Sequence, residues 1–356
     1  MIAMTSSTSN LRTEASPIKL LILGFSCTEL GTGYTKPLMP ALKAECPGLT
    51  IFRCGLGGLS PPVIPSFLAH LHANTGPFTH VVLEISTSVY QWLERVTPQT
   101  MTDVVRDIFQ SCRELGIAPF VLMLYRRDHK VPRVRFNDIL RRECTFANVP
   151  YLDLAENFLK VYGADFANSI LSDVVHTTPT GGRLQADLSQ WRLLHWLSCA
   201  ITIPSVDRPI RFRRVSLPVD ALVGDDLPRT SFKRRDFTCS CVVVKEGQSL
   251  SLQFDEPRRI MGVSFVHGPS SGFFQITPDG DHQSATIVPA FDKRCYYSRV
   301  GFRAFNAYIG RWVRSLRFDI VDGHQEVSLL KGVRDDGPAD IRLIDVVELQ
   351  KVDQDT

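Results

Sequence analysis

The chain has 356 residues, 44% of them hydrophobic, long for one compact core and ordinary for a globular protein of two domains. Its 40 lysines and arginines against 37 aspartates and glutamates leave a net charge of only +3, without the concentrated basic face that nucleic-acid binding needs. No apolar run approaches the roughly 18 residues that would span a membrane. Two local basic clusters, Arg208 to Arg214 and Lys233 to Arg235, read as a solvated linker and a solvated turn.

In chain order, residues 1–17 are rich in Ser and Thr and lack the charged start and long apolar stretch of a signal peptide. They read as a disordered tail on a cytoplasmic protein. Buried strands are expected at Ile18 to Gly24, Thr50 to Cys54, His80 to Ile85, Ala118 to Tyr125 and Val149 to Leu154. Helical spacing lies between them. In Thr100 to Leu115, Val104, Val105, Ile108, Phe109 and Cys112 recur at three and four, with Thr100 or Thr102 as cap and Gly116 as stop. In Arg183 to Cys199, Leu184, Leu188, Trp191, Leu194 and Leu197 form a stripe. Strands alternating with helices predict a parallel sheet covered on both faces over residues 18–203. A Pro- and Arg-rich linker is expected over 204–218. From 219 to 356, Ser249 to Phe254, Gly262 to Val266, Gly272 to Thr277, Ser315 to Val321 and Ile341 to Leu349 alternate apolar with polar. That pattern predicts an all-β sandwich.

Four features of the first domain converge on one kind of chemistry. Ser26 follows the first strand, and ligands of parallel α/β sheets bind outside the carboxyl ends of the strands. Gly55-Leu56-Gly57-Gly58 follows the second strand, where glycines let a backbone N–H approach a substrate oxygen. Ser86, Thr87 and Ser88 follow the third. Asp173 and His176 precede the last helix. Three residues apart on a loop, a carboxylate can hold the imidazole's far nitrogen while the near one takes a serine proton.

This order of blocks resembles the SGNH (GDSL-type) hydrolase superfamily over residues 18–198. Gly24-Phe25-Ser26 matches the Gly-Asp-Ser block, FRCGLGG the second, VVLEISTSV the third, and Asp173 with His176 the last. The resemblance implies a flavodoxin-like three-layer α/β/α domain. It also implies a Ser26–His176–Asp173 triad and an oxyanion hole of Ser26, Gly58 and Ser88. The sequence departs from the family at Phe25, where Asp is usual, and at Ser86, Ser88 and Val89, where Gly, Asn and Asp are usual. Loss of one oxyanion donor typically costs about 100- to 1,000-fold in rate; the Ser88 hydroxyl is the available substitute.

Other residues have blander readings. The His70/His72 pair on a helix points its side chains apart and is not expected to bind metal. Cys239 and Cys241 share one strand face as small buried hydrophobes. Nine cysteines without a regular pattern fit a reducing compartment. No cofactor signal is present. Glu84 reads as a buried acid with a structural role beside the sheet. Arg126 and Tyr90 are candidates for substrate binding, the first for an anionic or polar part, the second, like Trp92, for a sugar ring. Three functions stay open. The chain is an esterase removing an acyl group, with acetyl the expected case, from a carbohydrate or related polar substrate; an O-acyltransferase using the same triad; or a binding protein on a decayed hydrolase scaffold. The expected partner is a small-molecule or glycan ester, with neither nucleic acid nor membrane, and the oligomeric state is left open.

Overall fold

The computed structural model describes residues 17–87, 90–128, 131–205, 208, 210–223, 227–321, 327–332 and 339–352. The expected tail therefore lies, but for its last residue, outside the described residues. The first domain runs β1 (Lys19–Gly24), α1 (Ser26–Glu29), α2 (Thr35–Glu45), β2 (Thr50–Gly55), α3 (Ile64–Asn74), β3 (His80–Glu84), α4 (Tyr90–Arg95), α5 (Pro98–Glu114), β4 (Ala118–Met123), α6 (Val131–Phe146), β5 (Tyr151–Asp153), α7 (Leu154–Asn157), α8 (Gly163–Ser169) and α9 (Pro179–Ser198).

Its strands are parallel, in the order β2-β1-β3-β4-β5. This is the flavodoxin-like winding, whose switch point lies between β1 and β3. Continuous apolar runs suit it because both faces are covered. Leu21, Leu23, Val81 and Leu83 pack toward α3, α5 and α6, whereas Leu20, Ile22 and Val82 pack toward α2, α8 and α9.

Two local expectations are corrected. The cap of α5 is Thr97, whose hydroxyl accepts from the Thr100 N–H at 3.1 Å. Pro98 occupies the first helical position, where its fixed φ and missing donor cost nothing, so the helix starts two residues before Thr100. On α9 the apolar stripe is only partly the buried face: Leu197 is buried and Leu184 and Leu194 pack against the core, but Leu188 and Trp191 are exposed, Trp191 at 65%. With Leu197, Gly181, Gly182, Gln185, Ala186, Ser189, Leu193 and Trp196 face inward. Close approach explains this. A Cβ on Gly181 would stand 2.1 Å from the Ile170 carbonyl oxygen, and one on Gly182 2.2 Å from that of Thr32. Small residues let α9 press directly against the backbone at Ile170 and Thr32.

The second domain comprises β6 (Phe212–Pro218), α10 (Val219–Leu222), β7 (Arg229–Arg234), β8 (Phe237–Lys245), β9 (Ser249–His267), β10 (Phe273–Pro278), β11 (Thr286–Pro289), β12 (Arg299–Ala304), β13 (Arg311–Val321) and β14 (Asp340–Lys351). Its strands are antiparallel, in the order β11-β10-β13-β9-β14-β8-β7, with β12 added on β9 and β6 on β14. The expected sandwich thus takes the form of one curled sheet around Val242, Leu252, Phe265, Phe274, Phe318 and Leu343. Two expected strands merge in β9, which pairs with β13 along its first part and with β12 and β14 over 260–267. The β9–β13 register slips between Val313 and Ser315, opposite the stretch that holds Pro257, a residue with no N–H to give the ladder. The linker expected over 204–218 is shorter, because Phe212–Pro218 is strand β6, paired with β14.

The two domains share a core. Phe232, Phe237, Cys239, Cys241, Val266, Val300 and Ile344 belong to the same apolar cluster as Val63, Phe67 and Val104. The Phe67 and Phe237 rings lie 5.6 Å apart. Asp107 of α5, its side chain fully buried, accepts from the Arg213 Nε at 2.9 Å and from Arg214 Nη1 at 2.9 Å. Part of the supposed solvated linker is therefore an ion-paired seam between the domains.

Candidate active site

At the end of β1 the chain turns sharply into α1. A Cβ on Gly24 would meet Thr28 Oγ1 at 2.2 Å and the Glu84 carbonyl oxygen at 2.8 Å, so only glycine fits. Phe25, where the resembled family has Asp, is buried in the core and anchors the turn. Ser26 is the first residue of α1. Beside it, β2 runs into the glycine segment. A Cβ on Gly57 would lie 3.7 Å from that of Ser26, and Gly58 has φ +85° with open space around it, a conformation natural to glycine.

Beneath α1 lies Glu84 at the end of β3, fully buried. It accepts hydrogen bonds from the Thr87 hydroxyl at 2.8 Å, the Thr87 N–H at 3.2 Å and the Thr28 hydroxyl at 3.4 Å. Burial pushes its carboxyl up to about 7, against the pull of those donors. Ser86, at the family's glycine position, is structural: its hydroxyl accepts from the Leu124 N–H at 2.9 Å. Its carbonyl accepts from the buried Arg133. Ser88 and Val89 lie outside the described residues, as does the side chain of Tyr90.

The Asp173–His176 loop is pinched shut by a bridge between Leu171 and Thr177. Asp173 Oδ1 accepts from the N–H groups of Val175 and His176, each at 2.8 Å, and Oδ2 stands 2.7 Å from His176 Nδ1. Slight burial pushes the Asp173 carboxyl up, but those N–H groups and the imidazole outweigh it and bring it to about 2. Asp173 is thus a carboxylate at neutral pH. It fixes Nδ1 as the protonated nitrogen and leaves the Nε2 lone pair for a proton. The loop is held from both sides, by the Cys27 thiol donating to the Val175 carbonyl at 3.3 Å and the Arg127 N–H donating to that of Val174 at 2.8 Å.

Ser26, Gly57, Gly58, Arg126 and His176 all line one cavity of about 680 Å³. Among the described residues, Ser26 Oγ and His176 are not hydrogen-bonded to each other. Arg126 is locked by both oxygens of Asp128, each at 2.7 Å, and by the Thr87 carbonyl at 2.9 Å. Trp92 is not at the rim but buried, edge-on to Phe136 at 5.5 Å. His70 faces the Thr238 carbonyl and His72 accepts from the Phe78 N–H. Among the described residues no His, Cys, Asp and Glu group is arranged to hold a metal.

The second domain forms the rest of the cavity wall through Arg234, Arg235, Arg294, Tyr296, Tyr297 and Arg299, among others. Reasoning from sequence missed this wall. Its one available signal was the Lys233–Arg235 cluster, taken there for a solvated turn.

No protein-family model matches the chain, and no curated protein matches its sequence. Among solved structures it is similar to a two-domain esterase active on acetylated mannans. The TM-score is 0.61 at 15% identity, over 94% of this chain and 92% of that one. With the same esterase co-crystallised with mannopentaose the TM-score is again 0.61, at 13% identity over 95% and 92% of the two chains. A variant of an acetyl xylan esterase from Geobacillus stearothermophilus aligns with 52% of this chain and 96% of its own, at 16% identity and TM-score 0.41. The expected fold, a flavodoxin-like α/β/α domain followed by a β-domain, is therefore also that of a known two-domain esterase. No described helix is long and apolar enough to cross a membrane.

Proposed function

We propose that the chain is a serine esterase of SGNH type that removes an acyl group, acetyl in the simplest case, from a carbohydrate. The observation that carries this reading is the Asp173–His176 pair, hydrogen-bonded at 2.7 Å, on the wall of the cavity that Ser26 also lines. Ser26 Oγ attacks the ester carbonyl carbon while His176 Nε2 takes the hydroxyl proton. The resulting oxyanion is met by the N–H groups of Ser26 and Gly58, with Ser88 as the further donor. The tetrahedral intermediate collapses and the C–O bond to the sugar breaks. His176 returns its proton to the departing alkoxide, leaving an acyl group on Ser26. Water, deprotonated by His176, then attacks the acyl carbon and releases the carboxylic acid. A sugar hydroxyl in place of that water would make the same site an acyltransferase.

Carbohydrate as substrate is supported by the mannan esterase that shares both domains and by exposed Tyr296 in the cavity wall. The nine free cysteines suit a cytoplasmic, reducing setting. A fluorophosphonate probe followed by peptide mapping tests the reading: label on Ser26, lost in Ser26→Ala, is expected. Label on a different serine, or none, overturns it. Turnover of p-nitrophenyl acetate that rises when a saccharide acceptor is added would mark transfer rather than hydrolysis.

A further inference from the structure

The cavity wall is strongly cationic. Five arginines line it, Arg126, Arg234, Arg235, Arg294 and Arg299, against two carboxylates, Glu29 and Asp292. Both carboxylates are taken: Arg234 pairs with Glu29 and Arg299 with Asp292. Arg126 has Asp128. Two guanidinium groups are left over. Arg235 donates to the Glu29 backbone carbonyl at 3.3 Å, and among the described residues neither it nor the Arg294 side chain has a carboxylate partner. Both stand exposed, on different segments of the second domain. Arg235 is at the β7–β8 turn with φ +53°, and the Asp236 carboxylate fixes that turn to the first domain by accepting from the Arg53 N–H at 2.8 Å. Arg294 sits on the loop before β12, where its own N–H donates to Asp292 Oδ1 at 2.8 Å. His267, also on the wall, is held neutral, burial and then Arg299 bringing its imidazole down to about 4.

A surplus of fixed positive charge lining a concave wall attracts anions, and guanidinium forks match carboxylate, sulfate and phosphate oxygens. One aromatic ring is available beside them. Arg234 lies over Tyr297 at 4.3 Å, whereas Tyr296, edge-on to Tyr297 at 4.9 Å, is 39% exposed. We infer that the preferred substrate is an ester carried on an anionic saccharide, with its negative group bound by Arg235 and Arg294 and its ring against Tyr296. This rests on the esterase reading for the word substrate, but not for the binding itself. A neutral acetylated glycan would leave both guanidinium groups without a counter-charge.

The test is binding to the full chain carrying Ser26→Ala, followed by calorimetry with three ligands: acetylated oligogalacturonate, an oligosaccharide sulfate, and neutral acetylated xylo-oligosaccharide. The anionic ligands should bind at least about tenfold more tightly than the neutral one, the equivalent of one charge-assisted hydrogen bond. Which of the two binds more tightly identifies the anion. The preference should shrink as salt rises from about 50 to about 500 mM. Adding Arg294→Gln should reduce it about tenfold, whereas Arg294→Lys should keep most of its salt dependence. Equal affinity for neutral and anionic ligands, or a preference that survives Arg235→Gln with Arg294→Gln in a chain that still melts cooperatively, overturns the inference and leaves the esterase reading standing. Anionic preference in a wild-type protein whose Ser26 takes no fluorophosphonate does the reverse.

Discussion

Replacing Glu84 with Gln exposes how much stability is held against a carboxylate buried beneath the Gly24–Ser26 turn. The residue is fully buried and its carboxyl is pushed from 4.5 to about 7 in the fold. A raised folded value means that the native state holds a proton the unfolded chain has released. The contribution of Glu84 to stability therefore falls as pH rises from the unfolded value near 4.5 to the folded value near 7, and is constant outside that window. The rise from 4.5 to about 7 corresponds to about 3 kcal/mol. Gln keeps an oxygen for the Thr87 donors and does not titrate. Urea unfolding of both proteins from about pH 4 to about pH 8 should show the variant gaining about 3 kcal/mol on the wild type across that range. Most of the gain should fall between pH 4.5 and 7. Because the domains share one apolar cluster, a single transition is expected. Parallel pH curves for the two proteins would refute the account of Glu84 as a carboxyl held neutral by burial.

Other consequences are more local. Asp173→Asn keeps the size of the side chain but lets the imidazole take the wrong tautomer, so kcat should fall by up to about 10⁴-fold with little change in melting temperature. Since the Asp173 carboxyl is held at about 2, the acid limb of the wild-type rate profile should not report Asp173. A limb centred near pH 2 would contradict this. Asp107→Ala strips the carboxylate from Arg214, whose side chain is only 4% exposed. The cost should be about 3–5 kcal/mol, the usual consequence of orphaning a buried charge. A loss below about 1 kcal/mol in denaturant unfolding would mean that water reaches the seam.

How far the sequence could be read depended on whether the deciding contacts were local. The parallel strands were legible because burial on both faces turns them into unbroken apolar runs, as in Leu20 to Leu23. Asp173 and His176 were legible because their contact is made within four residues by a self-contained turn. Helix α9 is legible only in part, because much of its buried face is set by backbone approach at Gly181 and Gly182, which no count of apolar residues detects. The linker was overextended because β6 draws its partner from β14, more than 120 residues onward. The arginines illustrate the same limit for function. Lys233 to Arg235 reads as a solvated turn only while its surroundings are unknown. Once β7 and β8 dock on the first domain, Arg234 meets Glu29 and Arg235 is held at the rim of the cavity that Ser26 lines. Charge in a turn is cheap wherever it faces water, so composition alone carries no sign of which solvent-facing turn also faces a substrate. The Asp173–His176 contact is thus encoded in one short block, while the cavity wall is encoded in how two surfaces distant in sequence meet.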